Sequence, residues 1–379
     1  MTERSFRGLS ARQLCFFAAF LLPTLKLIDA PALLAKAAAG DLLVPALVQH
    51  ALQSVPLACL LILKAKTGKG AFSLVKDRFG TVAYKAALLA YAVYFTIYAA
   101  RPLLDLEKFS YAAFYDTASS TFVFTPFFFL CAYAASKSLS SLGRAADLSA
   151  PLFILSFVAI FALSVGAADF SALLPIFGEP VGATVQGVSS TVPLFFDAAL
   201  FLPLIERLPY KKGDGVKIFS AYWVGAAFVL AFLALFFGVY SSIAEREHYA
   251  AAKIAQYFPA LDLIGRIDLL FVYLLTVVLF FATCVPSICA IDCLFNAFPL
   301  KSRVPYSAAL NLLLLAFTFF FNKRYNAVVY LLERLSPVFW VFSVLLPVLS
   351  LLFLLKTRKK QGGRALFNEK KADFSRGEK

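Results

Sequence analysis

The sequence predicts an all-α polytopic membrane protein of ten transmembrane helices, and three observations predict it. Of its 379 residues, 61% are hydrophobic and only 15% charged, more apolar surface than a soluble core of that size hides. Runs such as 221–240 and 267–284 are each long enough to cross about 30 Å of hydrocarbon at about 1.5 Å per residue. The basic residues gather in alternate loops, so the net charge of +14 reads as topology rather than as a face for nucleic acid. No cleavable signal peptide is expected: residues 1–12 are short and polar, and the apolar run behind them is too long and lacks a small-residue cleavage site.

In order, the spans are expected at about 12–38, 42–63, 82–104, 121–136, 146–166, 187–205, 217–240, 267–296, 305–322 and 337–355. With these bounds, 26 of the 36 basic residues fall on one side, in clusters such as Arg4, Arg7 and Arg12, or Arg207, Lys211, Lys212 and Lys217. Nine fall on the other side, and Lys26 lies inside span one. The positive-inside rule then places both termini in the cytoplasm, as an even number of spans requires. Ten spans divide into two sets of five, about 12–166 and about 187–355, and because five is odd the second set crosses in the opposite sense. That is the parity of an inverted-repeat transporter. A ten-helix domain over 1–355 is followed by a basic cytoplasmic tail, 356–379, whose composition predicts disorder and attraction to anionic headgroups.

Span one carries the costly groups. In "LPTLKLIDAP", residues 22–31, a lysine and an aspartate sit within an otherwise apolar stretch. Each costs about 2.5–3.5 kcal/mol at mid-bilayer unless it faces a bundle interior or an aqueous cavity and finds partners. Pro23 removes a backbone donor, so an interruption is expected near Leu22–Leu25. Span six repeats the pattern: "FFDAALFL" around Asp197 echoes "LIDAPALL" around Asp29, and Pro193 precedes Asp197 as Pro23 precedes Asp29. Interrupted helices in corresponding positions of two halves point to a substrate site. Two readings stay open: Lys26, Asp29 and Asp197 are a structural ionic cluster, or they line a functional cavity.

In span three, Tyr91, Tyr94 and Tyr98 share one helical face, as cavity lining or as aromatic packing. Span eight carries a kink signature at Pro286 beside Ser287, and "FGEP" (177–180) reads as a tight turn. The six cysteines lie in apolar segments and read as small hydrophobes rather than disulfides. Cys289 and Cys293 share a face, but no histidine or further cysteine completes a metal site, so neither metal nor cofactor is expected.

"LSARQLCFF" (9–17), and Pro31 with "AAAGD" (37–41), resemble the opening and the next element of the family of GerAB-type, permease-like B subunits of spore germinant receptors. "DLSAPLFIL" (147–155) is similar to its fifth span, "LPIF" (174–177) to the loop after it, and "YFPALDLIGRIDLLFVYLLTVVLF" (257–280) to its approach to span eight. Asp197 stands where the family usually has Glu, and Pro23, Thr24 and Lys26 stand where it has a Gly-containing break. Lys26 either supplies a positive charge for a ligand carboxylate or fills the pocket.

The resemblance implies membership of the amino acid–polyamine–organocation superfamily and a LeuT-like 5+5 fold with broken helices 1 and 6. It also implies a spore inner-membrane location, a larger membrane A subunit and a lipoprotein C subunit as partners, and a small nutrient germinant, an amino acid, as ligand. The substrate-binding residues expected are Pro23, Thr24, Leu25, Lys26, Asp29, Tyr94, Tyr98, Pro193 and Asp197. The alternative is a stand-alone amino acid permease, proton-coupled through Asp29 or Asp197, with Lys26 in the place a coupling sodium would need. An enzyme is not expected: His50 and His248 are isolated and no HExxH or GxSxG pattern is present.

Overall fold

The computed structural model describes residues 9–28, 30–114, 120–195, 197–247, 250, 254, 268–321 and 324–353. Asp29, His248, most of 251–267 and the tail 356–379 lie outside the described residues. Among those described, every regular element is helical. The chain opens with α1 (Ala11–Phe16), a π-helical stretch (Phe17–Leu21) and α2 (Leu22–Lys26), followed by α3 (Ala30–Ala38) and α4 (Leu43–Thr67). Next come α5 (Ala71–Phe114), α6 (Ser120–Ala135), α7 (Leu139–Ser164), α8 (Val181–Thr191), a 3₁₀ stretch (Val192–Leu194) and α9 (Asp197–Glu206). The rest is α10 (Asp214–Tyr240), α11 (Asp268–Ala297), α12 (Val304–Phe321), α13 (Tyr325–Arg334) and α14 (Ser336–Phe353).

Among the described residues, seven helical segments are long and apolar enough to cross a membrane, or eight if the pair Ala11–Lys26 and Ala30–Asp41, bent by 61°, counts as one. The chain is therefore an integral membrane protein. Several boundaries differ from expectation. A further helical stretch from Ala71 precedes the expected third span, set off from it by non-helical Gly80, and α8 starts at Val181, ahead of the expected 187. The short helix α13 occupies a stretch expected to be loop, because its apolar positions recur at helical spacing and bury Val328 and Leu332.

The core lies where α5 and α11 run along one another, with α6 and α9 packed against both, while α10 packs on α4 and the first segment. In contrast, α12 and α14 present rows of large apolar side chains outward, including Leu312, Leu313, Phe319, Phe320, Val341 and Leu345. In water such faces would drive association; here they suit lipid tails. Four of the cysteines, Cys131, Cys284, Cys289 and Cys293, are buried in this core, and all six are free thiols.

Loops are tied down by backbone capping. Asp41, 4% exposed, accepts hydrogen bonds from the amides of Phe177 (2.7 Å) and Glu179 (2.8 Å). This holds the "FGEP" turn, in which Phe177 adopts φ +64°, against the end of the first segment. Farther along that connection, Asp169 accepts from both the amide and the hydroxyl of Ser171. Those bonds favour the ionised form and hold the Asp169 carboxyl below the usual carboxylate range.

Gly80 separates residues 71–79 from the membrane-crossing part of α5 with φ 82° and ψ −179°, a region essentially reserved for glycine. A Cβ at Gly80 would meet nothing within 4 Å, so only backbone strain opposes substitution. Gly80→Ala is expected to destabilise the fold by about 1–3 kcal/mol, read as a lower midpoint of thermal unfolding in detergent; an unchanged midpoint would show that the bend relaxes without cost.

Candidate functional site

The first segment starts from a capping box. The Ser10 hydroxyl accepts from the Gln13 amide at 3.3 Å, while the Gln13 side chain accepts from the Ser10 amide at 3.0 Å. One turn later the helix widens: the amide of Leu22 bonds to the carbonyl of Phe17, the π-helical register. Pro23 follows directly behind this stretch, inside a helix that runs on to Lys26, so the chain passes the residue that lacks an N–H without ending the helix. The interruption thus falls later than the proline led us to expect. The Leu27 amide bonds to the Thr24 carbonyl at 3.1 Å, α2 ends, and the next helix leaves at 61°. In the sixth segment, α8 tightens into the 3₁₀ stretch beginning at Val192, closed by the Phe195 amide on the Val192 carbonyl at 3.1 Å. The α-helix resumes at Asp197, and the whole stretch 181–206 counts as one apolar segment.

These two irregular stretches meet over a cavity of about 40 Å³. Leu25 and Ile28 come from the first segment, and Pro193 and Leu194 from the sixth. Ile97, Tyr98, Pro102 and Asp105 come from α5, with Ala282, Leu332 and Phe339 completing the wall. Of the expected residues, the cavity therefore gathers Leu25, Tyr98 and Pro193. Pro23 turns the other way, toward α10: a Cβ on Gly225 would fall 2.6 Å from the Pro23 ring, so only glycine allows that approach. The Thr24 hydroxyl donates to the Phe20 carbonyl within its own helix. Tyr94 is buried in an aromatic stack, 4.9 Å from Phe342 and 6.5 Å from Tyr98 between ring centres. Its neighbour Tyr91 donates to the Phe342 carbonyl at 2.6 Å. Asp29, and the side chain of Asp197 at the head of α9, lie outside the described residues.

Lys26 is 1% exposed and, among the described residues, is not part of the cavity wall. Its ammonium donates to the Leu22 carbonyl at 3.2 Å and lies 5.3 Å from the centre of the Phe195 ring. A cation over a desolvated aromatic face is worth up to about 2 kcal/mol, and this contact joins α2 to the residue just after the sixth segment's 3₁₀ stretch. The same ring meets His50 edge-on at 5.1 Å. The Tyr222 hydroxyl donates to the His50 carbonyl at 3.1 Å, which leaves its oxygen to accept from Nδ1 of His50 at 3.2 Å. Nε2 of His50 is buried with no hydrogen-bond partner among the described residues. A histidine that is isolated in sequence thus stands beside the charged first segment in space.

A second buried cluster lies where α9 ends. The Asp292 carboxylate, in a residue 4% exposed, accepts from Arg207 at 3.0 Å and Arg303 at 2.6 Å, and Asn296 donates to its backbone carbonyl at 2.7 Å. Nearby, the Glu206 carbonyl accepts from Lys64 at 3.1 Å and the Glu206 carboxylate accepts from Ser73. The sequence pattern left Asp105 and Asp292 unmarked and showed His50 only as an isolated histidine. Asp292 was a carboxylate inside an expected span, which is itself a signal. Asp105 fell one residue beyond the expected end of span three.

The sequence profile of the spore permease family, described as "Spore germination protein", matches residues 31–327. No curated protein sequence matches the chain. Crystal structures of two mutants of the Eremococcus coleocola manganese transporter resemble it in fold. One has a TM-score of 0.55 at 13% identity and the other 0.53 at 12%, each likeness covering 93% of this chain and 80% of the transporter. These are LeuT-fold transporters, and at such identity the likeness is one of fold alone.

Removing one partner of a buried ion pair strands the other charge, at a cost of about 3–5 kcal/mol. Asp292→Ala leaves Arg303, whose side chain is 11% exposed, and Arg207, 32% exposed, so a loss near the lower end of that range is expected in chemical unfolding. Arg12→Ala, whose side chain is 82% exposed in its pair with Asp147, should change stability by less than about 1 kcal/mol.

Proposed function

The chain belongs to the spore permease family of spore germination proteins, and from that membership we propose that it is the permease-like B subunit of a spore germinant receptor. Its ligand is a small nutrient germinant, an amino acid, bound between the irregular first and sixth segments. The observation that carries this reading is the cavity where Leu25 and Ile28, just before the 61° bend, face Pro193 and Leu194 in the 3₁₀ stretch. Unwound backbone at such a place frees amides and carbonyls to hold a ligand's charged ends.

The architecture that supports it is a ten-helix, 5+5 inverted repeat. The eight membrane-length segments become ten when α6 and α7 are added, giving repeats of about 12–166 and 187–355 with both termini in the cytoplasm. Leu25, Tyr98 and Pro193 contact ligand directly. Lys26 acts through Phe195, coupling the two segments, and Pro23, Thr24 and Tyr94 set the backbone and aromatic frame around them; Asp29 and Asp197 complete the charge balance. Ligand capture closes the segments on one another, and the change passes to the A and C subunits in the spore inner membrane. A ligand drives such a shift only through its different affinity for the two states.

A stand-alone proton-coupled permease is the second reading, favoured by the fold likeness to transporters. The two part on flux: a receptor subunit binds without net uptake, whereas a permease accumulates labelled amino acid in proteoliposomes under a proton gradient.

With the full chain in nanodiscs, screening amino acids by thermal shift should reveal at least one that stabilises the wild type. Lys26→Met should remove that shift while leaving a cooperative unfolding transition. A fully responsive Lys26→Met/Asp29→Leu protein would mean that these charges are structural, and the site would have to be placed elsewhere.

A further inference from the structure

Asp105 is the acidic residue of the cavity wall, and the sequence pattern of broken segments does not account for it. It belongs to α5, two turns beyond Tyr98 on the same helix, and is 5% exposed. Around it the wall is almost wholly apolar: Leu25, Ile97, Leu194 and Phe339 among others, with Tyr98 the one further polar side chain among the residues that line it. A carboxylate at the edge of such a space is costly to bury and favours whatever positive group enters. It repels a second carboxylate by the same Coulomb interaction.

The size of the cavity points the same way. Its 40 Å³ is about three times what one water needs. That accommodates a small ammonium head and the first carbon of its stem. We infer that Asp105 receives the ammonium group of an amine-bearing ligand, with Leu25, Ile97 and Phe339 against the adjoining carbon stem. This rests on the ligand-binding reading above and narrows it: the ligand's recognised end is its cationic end, and its carboxylate, where it has one, lies outside this cavity. Asp105 is already engaged within the protein, so the ammonium joins or exchanges with that contact.

The test uses the full chain in nanodiscs and probes matched in their charged ends. Each common amino acid with an uncharged side chain is compared with its amide, which keeps the ammonium, and with its N-acetyl derivative, which keeps only the carboxylate. For any amino acid that binds the wild type, the amide should bind within about tenfold and the N-acetyl compound should lose at least tenfold, a difference of about 1.4 kcal/mol. Asp105→Asn should weaken amino acid and amide alike by at least tenfold, and Asp105→Glu should restore most of the affinity. Equal binding of the N-acetyl compound, or an Asp105→Asn protein within twofold of the wild type, overturns the assignment and leaves the ligand-binding reading standing. The wild-type comparison decides the matter even where Asp105→Asn does not fold. If none of these compounds binds the wild type, both readings fall together.

Discussion

Hydrocarbon offers a buried polar group nothing to bond to, so every such group in this chain must be satisfied by the protein itself. Lys26 feels this most sharply. It is almost wholly buried in the middle of the first segment, and its ammonium is held by the Leu22 carbonyl and the face of Phe195. The first lies within α2, and the second reaches irregular backbone. The helix must end at Leu27 for the next to leave at 61°, and the sixth segment must tighten at Val192 for Phe195 to meet the lysine. The same irregularity brings Leu25 and Pro193 to opposite walls of one cavity. Charge burial and the cavity are consequences of one arrangement.

The constraint repeats at other buried groups, with different partners. Asp41 is satisfied by two amides of the loop before α8, which binds the end of the first segment to the approach of the sixth. Asp292 is satisfied by arginines from the end of α9 and the start of α12. Asp292 ties elements within the second half, whereas the Lys26–Phe195 contact and the Asp41 cap join the first half to pieces far along the sequence. A shift of one half against the other has to break or exchange these contacts, which gives a permease-like bundle discrete states rather than a continuum.

Much of this was legible beforehand, and the exceptions have physical causes. Apolar run length identified the membrane class and the approximate positions of α4, α10, α11, α12 and α14, because hydrocarbon thickness sets helix length directly. The irregularity of segments one and six was visible in Pro23 and Pro193. Its detail was not: the helix runs past Pro23 to Lys26, and the wide π-helical turn before it has no residue signature. Tyr91, Tyr94 and Tyr98 were correctly put on one face, yet only Tyr98 lines the cavity, since a helix face is wider than the contact any one neighbour makes with it.

What the sequence determined alone was its solvent: how many stretches avoid water, where polar groups interrupt them, and which residues resemble the spore permease family. Tertiary structure decided which of those polar groups meet. Asp105 was assigned to a loop by a boundary one residue off, and His50 looked solitary, yet the fold carries Asp105 to the cavity wall and His50 against Phe195. Hydropathy is a property of each segment and can be summed along the chain. Proximity between segments depends on how helices cross and rotate against one another, and no single segment encodes that angle.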